Sequence, residues 1–364
     1  MMPRRWLCGL LGAATTAGVL LACTLTQSLG YLQQGDGEGG GPPVVTPEGG
    51  DEDSAAVGPG APTVLVANQT RPKLLTHDAA SLYWIADGKV LSVAKTGGTP
   101  KVLGVAPLAA SQLAVDADPN GFVFMATGKD VIRLPKDGSG GGVIFAAGTP
   151  ALAADTVAAD DASLFVLQLD VNGTEGSRIV RMAKDGGGLV ELVSDGGPAT
   201  MTLDPANVVW LDLADPPLFH VQGKMAPAIE AMLINAGPID SVPLASVDVA
   251  VDDNFIYWTA DEGGGGAATL YRRDRQAAGT VATIGRGLAD DSFAHIAIDD
   301  THVYVLEVTK SSLVRAPKDG KGDAVRVLAD LAAPSGLVVD ANAIYMTLEA
   351  TGSAGSVVKV AKTK

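Results

Sequence analysis

One arrangement of apolar and polar positions returns seven times along the chain. An apolar segment ends in Asp, a few turn residues follow, and an apolar segment with an aromatic near its start comes next. The copies read LLTHDAASLYWIA at 74–86, LAVDADPNGFVFMA at 113–126, TVAADDASLFVLQ at 156–168 and MTLDPANVVWLD at 201–212, then VAVDDNFIYWTA at 249–260, IAIDDTHVYVLE at 296–307 and LVVDANAIYMTL at 337–348. Taking Tyr83, Phe124, Phe165, Val209, Tyr257, Tyr304 and Tyr345 as equivalent, the spacings are 41, 41, 44, 48, 47 and 41 residues. Such a period is that of a four-stranded propeller blade, so the pattern predicts an all-β, seven-bladed β-propeller.

A second phrase trails the first: an alternating segment running into Lys-Asp-Gly, as in VIRLPKDGSGG at 131–141, IVRMAKDGGG at 179–188 and LVRAPKDGKG at 313–322. VLSVAKTGG at 90–98 and LYRRDRQAAG at 270–279 are looser copies. Asp-Gly between alternating segments is a hairpin signal, because both residues tolerate positive φ. The first two strands of each blade are nearly continuous apolar runs, as expected of strands packed on both faces. The seventh copy stops after its third strand, whereas residues 63–68 form an apolar strand that precedes the first copy. That strand is expected to complete the last blade and close the ring, removing two exposed edges. Residues 62–364 are therefore expected to be one propeller domain.

Composition agrees: 45 Gly and 21 Pro mean many turns, and 47% hydrophobic residues suffice for a core. A net charge of −15 without Lys/Arg clusters gives no support to nucleic-acid binding. The segment before the domain has a different character. Arg4 and Arg5 precede an uncharged run from Trp6 to Ala22, short for a membrane span and ending Leu20-Leu21-Ala22-Cys23. Residues 23–61 then read as a flexible tether, dominated from residue 33 by Gly, Pro and acids, which cannot bury enough apolar area to offset ordering entropy.

Leu-Leu-Ala-Cys resembles the lipobox of bacterial lipoproteins. The resemblance implies that residues 1–22 are a signal peptide and that Cys23 is lipidated as the first mature residue. Two arginines and no acid leave with 1–22, taking the side-chain charge from −15 to −17. Cys8 leaves too, so the mature chain keeps one cysteine and no intrachain disulfide is expected. Thr24, rather than Asp, after the cysteine implies the outer membrane of the cell envelope rather than the inner.

Ile256-Tyr257-Trp258-Thr259-Ala260 with Leu270-Tyr271-Arg272-Arg273 resembles the YWTD repeats of lipoprotein-receptor propellers, as does Leu82-Tyr83-Trp84. Ala260 stands where that motif has Asp, and those receptors have six blades. The chain as a whole is more similar to the NHL-like and YncE-like secreted bacterial propellers. Such resemblance implies a fold and no particular activity.

Candidate chemistry is sparse. The recurrent Asp116, Asp160, Asp204, Asp252, Asp299 and Asp340, with Asp78, are candidates for a carboxylate ring at one end of the channel, able to hold a hard cation. Recurrence in every blade favours instead a turn-forming role, the carboxylate accepting from backbone N–H groups two or three residues on. Among the histidines, 77 and 302 are expected in turns equivalent to each other and 220 and 295 stand alone, without metal-ligand spacing. No nucleophile elbow or phosphate-binding loop is present, and neither metal nor cofactor is expected. Two departures from the repeat, 218–238 and 261–269, are candidate partner-contact loops, though loop drift is the simpler explanation. The function expected is a monomeric, non-enzymatic scaffold, anchored to the membrane by lipid, with a protein or small-molecule ligand at a propeller face. The alternative is a metal-dependent hydrolase or lactonase using channel carboxylates.

Overall fold

The computed structural model describes residues 60–145, 147–173, 175–212, 218–225, 232–235, 248–261, 268–275, 280–286, 293–350, 352 and 354–362. Cys23, the tether and parts of both repeat departures lie outside the described residues. The described chain forms strands and turns without a helix, in seven four-stranded antiparallel sheets, so the protein is a seven-bladed β-propeller.

Blade one is Lys73–His77, Ser81–Ala86, Lys89–Ala94 and Lys101–Val105, from the channel outward. The inner strands of the next six are Gln112–Val115, Leu152–Ala159, Pro198–Leu203, Val249–Val251, Phe293–Ile298 and Pro334–Val339. Each inner strand touches its neighbour around the ring, and that of blade seven touches that of blade one. In blade seven the outer strand is Thr63–Gln69, antiparallel to Gly355–Ala361 with Val64 opposite Val358.

The second strands carry the core. Ser81–Ala86 is buried from Leu82 onward and Ala343–Leu348 throughout. Among the described residues the buried apolar side chains fall into seven clusters, one in each gap between blades. Between blades four and five, Phe219 meets the edge of Trp258 at 5.0 Å. Between seven and one, Val66 joins Trp84, Tyr345 and Val357, and Trp84 Nε1 donates to Gln69 Oε1 at 3.2 Å. Each fully buried large side chain contributes about 1.5–3 kcal/mol, so the clusters make adjacent blades mutually dependent.

The inner strands depart from expectation. They alternate between buried and half-buried, because one side of each faces the channel and not a neighbouring blade. Five of them also slip register near their start, between Lys73 and Thr76, Ala154 and Thr156, Pro198 and Thr200, Ala294 and Ile296, and Pro334 and Gly336. A bulge re-aims the extra side chain, and here it does so at one end of the channel.

Candidate functional site

The two ends of the channel differ in chemistry. At the end where the inner strands finish stand the seven recurrent aspartates. In six of them, Oδ1 accepts the N–H groups two and three residues on, as from Ala80 and Ser81 to Asp78 at 2.9 and 2.8 Å and from Asn342 and Ala343 to Asp340 at 2.8 and 2.9 Å. The same pair of bonds recurs at Asp160, Asp204, Asp252 and Asp299. Blade two has a longer turn, and Asp116 instead accepts from Phe122 N at 3.2 Å. There Gly121 is required: a Cβ at that position would lie 2.0 Å from Asp116 Oδ1.

In the six the other carboxylate oxygen is committed between blades, and in Asp116 the same Oδ2 serves both purposes. The lysine of the trailing phrase crosses the gap to the aspartate of the preceding blade: Lys136 to Asp78 at 2.8 Å, Lys184 to Asp116 at 3.3 Å and Lys224 to Asp160 at 3.2 Å. Arg275 reaches Asp204, Lys318 reaches Asp252 at 2.5 Å and Lys362 reaches Asp299 at 2.5 Å. Lys95 of blade one closes the circle on Asp340 of blade seven at 2.8 Å. Several of these cations also donate to the aspartate carbonyl of their own blade, as Lys136 does to Asp116 O at 2.6 Å. Tyr83, Tyr257, Tyr304 and Tyr345 add hydroxyl donors to Asp78, Asp252, Asp299 and Asp340.

Burial alone would raise these carboxyl pKa values. Hydrogen bonds from Lys136, Tyr83, Ala80 and Ser81 outweigh it at Asp78 and bring it down to about 2. At Asp340, Lys95 and the backbone N–H groups of Asn342 and Ala343 do the same, again to about 2. Asp160, Asp204, Asp252 and Asp299 are lowered for like reasons. The ring of carboxylates is thus a ring of ion pairs fastening blade to blade. The turn phrase carried a signal for it, a cation recurring in every copy. Blade four keeps that cation, Lys224, although its Asp-Gly is gone, and blade five supplies Arg275.

The opposite mouth was not legible. A cavity of about 470 Å³ there is lined by residues of all seven blades, among them Ser111, Asp155, Thr200, Asp248 and His295. Asp155 and His295 are bulge residues, and His295 has a left-handed backbone, φ 55°. Asp248 accepts N–H bonds from Val249 and Ile296, each at 3.0 Å. Burial raises its carboxyl pKa against the opposing effects of His295 and those two bonds. These residues precede the marker aspartate by four or five positions, where no phrase recurs. Among the described residues no three His, Cys, Asp or Glu side chains gather as metal ligands.

The histidines read as equivalent are not. His77 ends an inner strand, whereas His302 begins a second strand. His220 stacks on Trp210 at 4.8 Å in blade four.

Comparison with family models and with curated proteins finds no match. Among solved structures the chain is similar to virginiamycin B lyase from Staphylococcus aureus, with TM-score 0.62 and 13% identity over 83% of this chain and 99% of that one. It is also similar to the WD40 propeller domain of Doa1, with TM-score 0.58 and 11% identity over 85% and 98%. YCF48 bound to D1 peptide is a third, with TM-score 0.56 and 12% identity over 86% and 100%. At these identities the likeness is one of fold.

Proposed function

We propose that the chain is a lipid-anchored binding protein of the cell envelope, held through Cys23 on the outer membrane, with a monomeric propeller that captures a protein or small-molecule ligand. The observation that carries this reading is the division of labour between the channel ends. Every recurrent carboxylate is spent on turns and inter-blade ion pairs, so the repeated carboxylates of that end are structural. Asp155, Asp248 and His295, which the repeat does not demand, gather at a cavity at the other end. YCF48, a propeller of similar fold, is solved with a peptide bound, which supports this use of the architecture.

Capture from solubilised membranes by the full lipidated protein tests it. A partner retained by the unaltered protein and lost from an Asp155→Asn, His295→Ala double variant of unchanged melting temperature supports the reading. Equal capture by both refutes the assignment of the mouth. A metal-dependent hydrolase or lactonase is favoured by one feature, a buried Asp248 within electrostatic influence of His295 at the same cavity. A rise of several degrees in melting temperature on adding Ca²⁺ or Zn²⁺ would favour it.

A further inference from the structure

The repeat supplies internal controls for a second pocket. Opposite the marker aromatic on the third strand stands an arginine in four blades: Arg133 faces Phe124, Arg181 faces Phe165, Arg272 faces Tyr257 and Arg315 faces Tyr304. Three of the four reach into the next blade and donate to the carbonyl oxygen of its ring cation. Arg133 donates to Lys184 O at 2.9 Å, Arg181 to Lys224 O at 2.7 Å, and Arg272 to Lys318 O. Arg133 and Arg272 also lie over phenylalanine rings, Phe122 at 4.4 Å and Phe255 at 4.5 Å. Blade six breaks both habits. Arg315 is half-buried and has no hydrogen bond or ion pair among the described residues. The residue two before the marker aromatic is His302, where blades two and five have phenylalanine and blade three Ser163.

Arg315 and His302 line a pocket of about 360 Å³ between blades six and seven, flanked by Ile344 and the Tyr304 ring, with Asn342 in its lining. We infer that this pocket takes a carboxylate group on a small organic ligand, with Arg315 as the anchoring guanidinium. Its planar fork matches a carboxylate, and the apolar flank suits an organic body. Of the other charges in the lining, Lys362 is committed to Asp299 and Asp300 is exposed to solvent, which leaves Arg315 as the uncommitted cation of the described lining. A single guanidinium matches the one negative charge of a carboxylate better than the higher charge of inorganic phosphate. Burial, then Arg315 and Lys362, hold the His302 imidazole below its usual pKa, against Asp299 and Asp319. A bound anion therefore raises it, which gives a direct readout.

The inference rests on reading the domain as a binding module but uses the end of the channel that the capture experiment does not touch. The test is an NMR titration of histidine-labelled full chain in detergent with N-acetylglycine, its amide N-acetylglycinamide, and inorganic phosphate. N-acetylglycine is expected to move the His302 signal saturably and raise its titration midpoint, and the amide to do neither. Arg315→Gln is expected to weaken the response about tenfold or more. Arg272→Gln, whose guanidinium is committed to Lys318, leaves binding unchanged. The inference is overturned if N-acetylglycine gives no saturable shift in the unaltered protein, if Arg315→Gln responds equally, or if phosphate alone binds. None of those results alters the outcome of partner capture through the other mouth.

Discussion

Lys136→Met removes the most enclosed cation of the ring. The Lys136 side chain is 4% exposed and that of Asp78 8% exposed. Its ammonium donates to Asp78 Oδ2 at 2.8 Å, Asp116 O at 2.6 Å and Asp118 O at 2.7 Å. Methionine keeps the aliphatic bulk and leaves the Asp78 charge held only by two backbone N–H groups and Tyr83. Two routes give the magnitude. The net fall of the Asp78 pKa from 3.8 to about 2 corresponds to about 2 kcal/mol, left after burial is offset and shared among Lys136 and the other donors. Removing one partner of a buried ion pair typically costs about 3–5 kcal/mol. An expected loss of about 2–4 kcal/mol follows, or roughly 3–7 °C in melting temperature for a domain of this size.

Lys89→Met is the matched control. Lys89 pairs with Asp87 at 3.0 Å, but with 46% and 67% of the side chains exposed, and such a pair is worth about 0–1 kcal/mol. Thermal and urea unfolding of both variants, with the Asp78→Asn, Lys136→Met double variant, completes the comparison. The double variant should recover part of the loss, because no buried charge is stranded. If Lys136→Met is no more destabilising than Lys89→Met, the ion pairs do not fasten the blades and the structural account of the aspartates fails.

Acid should act on the ring through Asp78 and Asp340: because their folded pKa values are depressed to about 2, the stabilisation is full above about pH 4 and is lost as pH falls towards about 2, measurable as a melting temperature dropping steeply across that window. A chain beginning at Arg71 lacks the strand paired to Gly355–Ala361 and should melt well below one beginning at Pro62, or aggregate; equal stability of the two would refute the role of that strand. Cys23→Ser should move the protein from the membrane to the soluble fraction of cells, and continued membrane association with cleavage at the same place would sink the lipid anchor.

The architecture was legible because the repeat imposed it. Seven copies with an aromatic second strand fix blade number, strand order and buried face, since each copy must pack on the next. The turn aspartates were legible for the same reason. Their second role was not, because the cation that each one meets lies in the following blade and belongs to a phrase that reads locally as a hairpin. Lys136 is 58 residues from Asp78, and Lys95 is 245 from Asp340. The channel mouth was hidden for the opposite reason. Asp155, Asp248 and His295 have no counterpart in the other copies, and bulges that no local pattern announces turn Asp155 and His295 to the cavity.

Departures from a repeat are therefore informative when judged by what they keep. In blade seven Lys359 stands opposite the marker, its ammonium over the Tyr345 ring at 5.8 Å. Blades one and four also lack the arginine bridge, but there the charge itself is gone, replaced opposite the marker by Ser92 and Val221. Losing charge and bond together leaves nothing unsatisfied, and drift suffices to explain it. Blade six keeps the charge without its acceptor and exchanges the ring beneath it for an imidazole. A guanidinium that forgoes a carbonyl bond gives up about 1.5–3 kcal/mol of charge-assisted hydrogen bonding. With no hydrogen-bond or ion-pair partner for Arg315 among the described residues, that loss is open to recovery from water or from a ligand. The pocket around Arg315 has the volume and the apolar wall for the second, which is why the polar exchange in blade six, rather than the larger insertions in blades four and five, identifies a ligand class.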